Sequence, residues 1–431
     1  MLSAADNETI TRVGRRTPMG EVFRRFWLPV MASGDLPERD GSPVRLRILG
    51  EDLVGFRDTN GAVGLLEAAC PHRRAKLFWG RNEDCGLRCA YHGWKFDVTG
   101  RCVDMPSEPP DSTFKERIRA RSYAATERAG LIWAYLGEPG TEPEFPHFDF
   151  LDPACEATGS SWFQRSNWLQ SLEGDIDTAH VSFLHRPLDT ERATPPPQFI
   201  KDFPKYVAMD TAPFLAVKET PYGFLYGGRR TVGDGEYYWR LSHWIAPAGA
   251  QVPGTPRYRG MRFLTPIDDY HSVSCSLRWH DADADTDDAL SRIVGGSGPL
   301  VAHTLPDGYV IDVRKLERGP DNDYMIDREV QKSTTFSGIP GGPRDQDRAV
   351  TETMEPILDR SEEHLGTTDV AIIALRRALL NLAQDLERGI EPRMVSNPAA
   401  VRGFRGVDLL SRHAELGDVL AEWSGELVGG S

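Results

Sequence analysis

Residues 70–93 read CPHRRAKLFWGRNEDCGLRCAYHG and contain two short loops with metal-binding side chains. Cys70 and His72 form a C-x-H pair, and Cys89 and His92 form a C-x-x-H pair after sixteen intervening residues. Four isolated residues of these types could instead belong to the core, because cysteine is commonly buried. The repeated pairing, with a proline in the first loop and a glycine after the second, favours a four-ligand metal site.

The distribution of these ligands between the loops indicates which metal group they bind. In a structural Cys₂His₂ zinc site the two cysteines lie close together in sequence, and so do the two histidines. Here each loop supplies one thiolate and one imidazole. That distribution fits a Rieske [2Fe–2S] centre, in which two cysteines bind one iron and two histidines bind the other. A zinc knuckle is the alternative.

The motif C-P-H-R at 70–73, followed by C-x-Y-H-G-W at 89–94, resembles the Rieske domain of the Rieske non-haem iron aromatic ring-hydroxylating oxygenases. The resemblance extends over almost the whole chain. It is closest to the alpha (oxygenase) component of the phthalate 4,5-dioxygenase-like branch. It implies an α+β fold with an N-terminal all-β Rieske [2Fe–2S] domain. The implied C-terminal catalytic domain is an antiparallel sheet flanked by helices, in a helix-grip, START-like arrangement.

Composition restricts the class of protein. The 431 residues suffice for two domains that each bury a core. No apolar run is long enough to span a membrane, and the N-terminal stretch lacks the apolar core of a signal peptide, so we expect a cytoplasmic protein. The net charge of −14 argues against nucleic-acid binding. An acidic surface could dock a basic electron-transfer partner, although most acidic proteins are simply soluble.

Local patterns predict mainly short strands in the first third of the chain. Residues 16–30 predict a helix in which Val22, Phe23, Phe26 and Trp27 share one face. Apolar and polar residues alternate after that helix, and a hairpin turn signal follows. The segments concerned are the alternation at 44–49, the turn at 58–61, and strands at 87–91, 94–97 and 130–137. We therefore predict an N-terminal helical segment at 1–35 that packs on the catalytic domain, and a Rieske domain at 36–145.

The remainder, 146–431, is predicted to be the catalytic mononuclear non-haem iron domain. Strands are predicted at 215–229 and 235–247, with Tyr238, Arg240, Ser242 and Trp244 on one face of the second. Apolar residues at three- and four-residue steps predict a helix at 369–388, with Thr368 as its cap and Gly389 at its end. Surface insertions are predicted at 186–198 and 281–290.

A second candidate metal site lies in the stretch EGDIDTAHVSFLHRP, residues 173–187. In a continuous helix, Glu173, Asp177 and His180 would share one face. His185 is five residues beyond His180, so both imidazoles reach one metal only if the helix breaks between them. Two imidazoles and one carboxylate form the facial triad of non-haem Fe(II) oxygenases, which leaves positions open for O₂.

The resemblance implies roles for residues around this second site. It places the third iron ligand at Asp347, with Asp345 as the competitor. In the family, the aspartate three residues before the first iron-binding histidine bridges two subunits, which assigns that role to Asp177. The implied electron path runs from His92 of one protomer through Asp177 to His180 of the next, within a homotrimer or stacked trimers. Glu173 occupies a position where dihydroxylating relatives carry asparagine, so it is a candidate catalytic residue.

The resemblance also implies the reaction. The cofactors would be a [2Fe–2S] Rieske cluster and a mononuclear Fe(II), with electrons from NAD(P)H delivered by a separate flavin/[2Fe–2S] reductase. The expected reaction is phthalate-type cis-dihydroxylation of an aromatic acid with O₂. The alternative is O-demethylation of a methoxylated, lignin-derived acid. A planar guanidinium suits an aromatic carboxylate, so Arg229, Arg230 and Arg240 are candidate substrate residues. A Rieske electron-transfer protein without oxygenase activity is the alternative of a different class.

Overall fold

The computed structural model describes residues 2–194, 199–254, 259–282 and 298–423. None of the helices in these ranges combines the length and the hydropathy that crossing a bilayer requires. The predicted surface insertions lie partly outside the described residues, at 195–198 and 283–290. The helices are α1 (Ala4–Thr11), α2 (Pro18–Phe23), α3 (Trp168–Ile176), α4 (Phe203–Met209), α5 (Arg328–Ser333), α6 (Pro343–Thr351), α7 (Val370–Glu387), α8 (Arg393–Ser396) and α9 (Leu416–Glu422).

The first large sheet is antiparallel. Its six strands are β1 (Trp27–Ala32), β2 (Val44–Ile48), β3 (Glu51–Arg57), β4 (Val63–Glu67), β9 (Ser122–Arg128) and β10 (Leu131–Tyr135), in the order β1-β10-β9-β4-β3-β2. Buried and half-buried side chains alternate along β2, as the sequence pattern predicts. The predicted turn joins β3 to β4, where Gly61 has φ of 89° and donates to the Asp58 carbonyl at 2.9 Å.

A smaller four-stranded sheet lies beside the two Cys–His loops. Its strands are β5 (Arg81–Glu83), β6 (Gly86–Arg88), β7 (Lys95–Phe96) and β8 (Cys102–Asp104), paired in chain order. The strand predicted at 87–91 ends early, because β6 stops at Arg88 and the second ligand loop begins at Cys89. Strands β6 and β7 flank the second ligand loop.

The C-terminal region is built on one eight-stranded antiparallel sheet. Its strands are β11 (Cys155–Gln164), β12 (Phe214–Thr220), β13 (Gly223–Gly233), β14 (Glu236–Ile245), β15 (Gly249–Gln251), β16 (Arg259–Pro266), β17 (Ser272–Asp281) and β20 (Val407–Ser411). The order is β11-β17-β16-β15-β14-β13-β12, with β20 paired to β14. A separate hairpin is formed by β18 (Leu300–Thr304) and β19 (Val310–Arg314). This confirms the predicted α+β class and its all-β N-terminal region.

Helix α7 confirms the long helix predicted from the apolar period, although Asp369 rather than Thr368 occupies its N-cap. Gly389 follows its end with φ of 78°, a conformation that favours glycine. Helices α1 and α2 pack against α7. The predicted helix at 16–30 was too long. Helix α2 ends at Phe23, because Trp27 begins β1 and pairs with Tyr135 of β10.

The six-stranded N-terminal sheet and the eight-stranded sheet contact each other directly. One hydrophobic core contains residues of α2, β1 and β10 together with residues of α3, β16 and α7. The Thr265 hydroxyl of β16 donates to the Pro29 carbonyl of β1 at 2.7 Å. Arg45 of β2 pairs with Asp312 of the β18–β19 hairpin at 2.6 Å. The strand β1, inside the predicted 1–35 segment, thus belongs to the N-terminal sheet. The predicted domain boundaries at 35, 36, 145 and 146 stay predictions.

Two candidate metal centres

The two Cys–His loops have the same backbone hydrogen bonds. In the first, the Cys70 amide donates to the Ala75 carbonyl at 2.8 Å, and the Arg74 amide donates back to the Cys70 carbonyl at 2.9 Å. In the second, the Cys89 amide donates to the Trp94 carbonyl at 2.8 Å and the Gly93 amide to the Cys89 carbonyl at 2.9 Å. Each loop therefore reverses over six residues and presents a cysteine followed by a histidine. The positive φ of Arg74 (62°) and of Gly93 (78°) completes each turn.

The four side chains separate by chemistry. Cys70 and Cys89 are buried and their thiols lie side by side, whereas His72 is exposed and His92 half-buried. The imidazole centroids of His72 and His92 are 4.5 Å apart, and the His72 ring stacks on Trp94 at 4.2 Å. Burial, and then the neighbouring Cys89 thiol, raises the pKa of Cys70 to about 12. Metal binding would have to supply the charge that stabilises such a thiolate.

This arrangement fits a [2Fe–2S] cluster better than a single ion. Among the described residues, no three of these four side chains bring their ligand atoms within 4.8 Å of one another. One zinc ion requires a tighter set. A two-iron cluster accommodates paired sulfurs on its buried side and paired imidazoles on its exposed side.

The chain path around the second candidate centre differs from the predicted helix. Helix α3 ends at Ile176, and Asp177 is extended, with φ of −66° and ψ of 120°. A short 3₁₀ turn then covers His180–Ser182 and ends at Phe183. The expectation that Glu173, Asp177 and His180 share one helix face was therefore wrong. The break brings both imidazoles to the same side, and their Nε2 atoms are 3.0 Å apart.

Helix α6 brings a carboxylate to these two histidines. The Asp347 Oδ1 atom is 3.0 Å from the Nε2 of His185 and 3.5 Å from the Nε2 of His180. These three side chains form the one group among the described residues whose ligand atoms all lie within the reach of a single metal ion. They match the two-histidine, one-carboxylate facial set and fit a mononuclear Fe(II). Asp345, the predicted competitor, is buried against Arg318 and Arg348 instead.

The charges around the triad favour an ionised Asp347 and a positive charge at His180. Burial alone would raise the pKa of Asp347, but the positive charge and hydrogen bond of His185 outweigh it and lower that pKa. Burial likewise opposes the charged form of His180, while Asp177 and Asp347 raise its pKa overall. The Asp177 carboxylate lies 3.6 Å from the Nδ1 atom of His180 and accepts from the Ala179 amide at 2.7 Å. It can thus orient the His180 ring.

Two further groups at the triad escaped the sequence analysis. Asp175 lies beside it with its side chain 11% exposed, and it pairs with Arg262 at 2.5 Å. Partial burial, opposed by Arg262 and reinforced by Asp347, raises the pKa of Asp175 to about 6. Gln346 contacts His185, with 2.6 Å between Nδ1 and Oε1. The position of Asp175 in the sequence matches no motif that would predict a role at the site. Gln346 could have been predicted from the sequence only because it precedes Asp347.

Glu173 does not contact the site formed by His180, His185 and Asp347, where a catalytic group would lie. Its carboxylate accepts from Arg360 at 2.8 Å and from Arg376 at 2.6 Å, so both oxygens have partners. Both arginine side chains are almost fully buried. The physical reason is helix geometry: Glu173 precedes the break at Ile176 and faces α7, whereas His180 follows it. The structure supports a structural ion pair here and not a catalytic role.

The three candidate substrate arginines differ in their surroundings. Arg229 donates to the Ala414 carbonyl and lies over the rings of Phe214 and Tyr237, so it belongs to the far side of the sheet. Arg230 is fully buried beneath the triad loop, where it donates to the Thr178 carbonyl at 2.6 Å.

Arg240 is also buried, and its guanidinium lies 4.8 Å from the Phe199 ring and 5.0 Å from the Phe203 ring. Its Nε atom has no hydrogen-bond partner among the described residues. Its charge opposes protonation of His180, which places it near the triad.

Comparison with known proteins agrees with this geometry. The family model for the Rieske [2Fe–2S] domain matches residues 26–123, and the model described as LigXa C-terminal domain like matches residues 134–407. The two matches together contain all seven candidate ligands.

Similar curated proteins are oxygenase subunits. The chain is 39% identical to the 3-chlorobenzoate-3,4-dioxygenase oxygenase subunit of Comamonas testosteroni, over 88% of each chain. It is 38% identical to the phthalate 4,5-dioxygenase oxygenase subunit of Pseudomonas putida, over 90% of this chain and 88% of that one. It is 29% identical to the 5,5'-dehydrodivanillate O-demethylase oxygenase subunit of Sphingobium sp. (strain NBRC 103272 / SYK-6), over 98% and 90%.

Proposed function

The chain belongs to the Rieske non-haem iron oxygenases as an oxygenase component, and we propose that its substrate is an aromatic carboxylic acid that it cis-dihydroxylates. The observation that carries the proposal is the presence of two unlike ligand sets in one chain. One set suits electron transfer, and the other is a compact facial triad. An electron carrier has no use for the triad, so the electron-transfer alternative is not supported.

In this proposal Cys70, His72, Cys89 and His92 hold the [2Fe–2S] cluster, and His180, His185 and Asp347 hold the Fe(II). When bound, these groups supply one-electron transfer and O₂ activation. Relatives described as oxygenase subunits imply a separate electron-donating component. We propose that this component is a flavin/[2Fe–2S] reductase that draws electrons from NAD(P)H. The chain's own residues orient the ligands and bind the substrate.

We further propose a head-to-tail homotrimer in which Asp177 links the two centres of neighbouring copies. Large apolar side chains are exposed around the Rieske loops, namely Trp79, Tyr91 and Phe114. Phe183 and Phe336 are exposed beside the triad loop, with their rings 5.6 Å apart. Two complementary apolar surfaces on one chain form a heterologous contact, which closes into a ring when the rotation permits. Asp177, whose side chain is 30% exposed, can then reach His92 of the next copy.

Arg240 is the group that best suits a substrate carboxylate. A buried guanidinium with an unpaired Nε is unfavourable, and a carboxylate ligand would satisfy it. The Phe199 and Phe203 rings beside it offer an apolar surface for an aromatic substrate. Arg230 instead positions the triad loop, through Thr178 and Ser182. Arg229 has no role in this proposal.

Single-turnover chemistry tests the reaction. The purified, chemically reduced protein is exposed to O₂ with a panel of aromatic carboxylates and methoxyaryl acids, and the products are identified by mass. A cis-diol that retains both oxygen atoms supports phthalate-type dihydroxylation. Absence of any oxygenated product, with both metal sites filled, would count against the aromatic-acid assignment.

O-demethylation is the second candidate, because one relative is an O-demethylase oxygenase subunit. Formaldehyde together with a free phenol from the same panel would establish it. Iron and acid-labile sulfide analysis separates the remaining classes. An oxygenase has one iron per chain beyond its cluster iron, an electron carrier has cluster iron alone, and a zinc protein has neither iron nor sulfide.

A further inference from the structure

We propose that Gln346 is a positioning residue that fixes the tautomer and the ring orientation of His185. In that way it would set the affinity of the triad for Fe(II). The inference rests on the proposed function, because it takes His185 as an iron ligand. It adds a residue outside the seven candidate ligands and assigns it to one particular atom, the Nδ1 of His185.

The contacts of Gln346 determine which way its amide points. Its Nε2 atom donates to the Ile339 carbonyl at 3.0 Å, and its Oε1 atom lies 2.6 Å from the Nδ1 of His185. A carbonyl can only accept a hydrogen bond, so the amide nitrogen must face Ile339 and the amide oxygen must face His185. The side chain is buried, at 7% exposure, so water does not compete for these contacts.

The tautomer of His185 follows from that orientation. The amide oxygen can only accept, so the Nδ1 of His185 must carry the proton. In the neutral imidazole, which is the form that binds a metal, the Nε2 of His185 then bears the free lone pair. This atom lies 3.0 Å from the Nε2 of His180 and 3.0 Å from the Oδ1 of Asp347. Gln346 therefore directs the lone pair of the neutral His185 ring towards the metal position.

The Nδ1 atoms of His180 and His185 face different chemical groups. His180 faces the partly exposed carboxylate of Asp177 at 3.6 Å, whereas His185 faces a buried neutral amide at 2.6 Å. A carboxylate stabilises the imidazolium as well as the correct tautomer, but a neutral amide selects the tautomer alone. Helix α6 holds this amide in place, since the preceding Asp345 is tied to Arg318 and Arg348.

Two substitutions separate the acceptor from the rest of the side chain. Gln346→Met keeps a similar length and removes both hydrogen bonds. Gln346→Glu keeps an oxygen acceptor for His185 but loses the donor to Ile339. The control is Gln384→Leu, at an exposed position on α7. All variants are made in the full chain with its Rieske cluster, whose absorption spectrum reports that the protein is folded.

The measurement is the Fe(II) dissociation constant of anaerobic protein from which the mononuclear iron has been removed, obtained against a competing chelator. Loss of a partner behind a metal-binding histidine weakens metal binding by about 10- to 100-fold. We expect that loss for Gln346→Met, less than about tenfold for Gln346→Glu, and less than about twofold for the control. The visible spectrum of Co(II) bound at the same site should change in the Met variant.

The outcomes distinguish this inference from the function on which it rests. Fe(II) binding by Gln346→Met within twofold of the parent, with an unchanged Co(II) spectrum, would overturn the role of Gln346 and leave the proposed function intact. Equal losses in the Met and Glu variants would also overturn it, because the contact with Ile339 would then be the important one. If Gln346→Met does not fold, Gln346→Glu tests the inference instead. A loss of Fe(II) affinity greater than about tenfold in Gln346→Glu would then overturn it. If Fe(II) binding by the parent protein does not depend on Asp347, both this inference and the proposed function are overturned.

Discussion

Replacing Glu173 by glutamine should destabilise the fold by about 3 kcal/mol, since breaking a buried ion pair costs roughly 3–5 kcal/mol when one charge is left unpaired. The structure places this change near the lower end of that range. Arg376 keeps a second carboxylate, Glu363, at 2.5 Å. Among the described residues, Arg360, whose side chain is 0% exposed, keeps only neutral acceptors such as the Asn7 Oδ1 atom at 3.1 Å. The unpaired charge is therefore mainly that of Arg360.

Urea-induced unfolding followed by tryptophan fluorescence measures this change. The matched control is Glu329→Gln, which removes an exposed pair with Lys332 and should alter the free energy of unfolding by less than about 0.5 kcal/mol. Iron content per folded chain should be unchanged in the Glu173 variant, because Glu173 does not contact the triad. A Glu173→Gln protein as stable as the control would refute the buried ion-pair interpretation. A stable but inactive variant would restore Glu173 as a catalytic candidate.

The same ion pair has a predictable pH dependence. Burial alone would raise the pKa of Glu173, but Arg360 and Arg376 outweigh it and lower that pKa below the ordinary value of 4.5. Because the folded pKa is the lower one, the stabilisation is complete above pH 4.5 and is lost as the pH falls through the folded pKa. The difference in stability between parent and Glu173→Gln should therefore stay constant near neutral pH and narrow in acid.

Other substitutions test the site and the fold. Asp347→Ala should remove one iron per chain and leave the cluster iron and sulfide, which metal analysis measures. Asp345→Asn should lower the unfolding temperature without loss of iron, which thermal unfolding and metal analysis measure. Asp177→Asn should keep both metals but stop turnover, and normal turnover would remove its bridging role. Arg240→Met should raise KM for an aromatic carboxylate by about 10- to 100-fold, as expected for a lost charged hydrogen bond, with little change for an uncharged analogue. His243 is buried on β14, and burial lowers its pKa to about 4. The parent should therefore lose stability relative to His243→Gln as the pH falls from 6.5 towards 4.

The sequence by itself determined the features that depend on neighbouring residues. The Cys–His loops are encoded within 24 residues, and their spacing favoured a Rieske cluster over a zinc site. The stretch that contains His180 and His185 was predicted to bind iron because it follows a Rieske motif in the same chain. Periodicity correctly predicted β2 and helix α7, because burial of one face imposes a regular apolar pattern.

Only the tertiary structure decided the features that join distant segments. Asp345 and Asp347 are two residues apart and chemically identical, so no local pattern separates them; packing of α6 on α3 sends one to arginines and the other to histidines. Gln346 meets His185 across 161 residues of chain. Glu173 was misplaced because the end of α3 at Ile176 was not predicted. The ligands within one loop can be predicted from their spacing in the sequence. The third ligand, Asp347, and the residue behind His185, Gln346, depend on how separate elements pack.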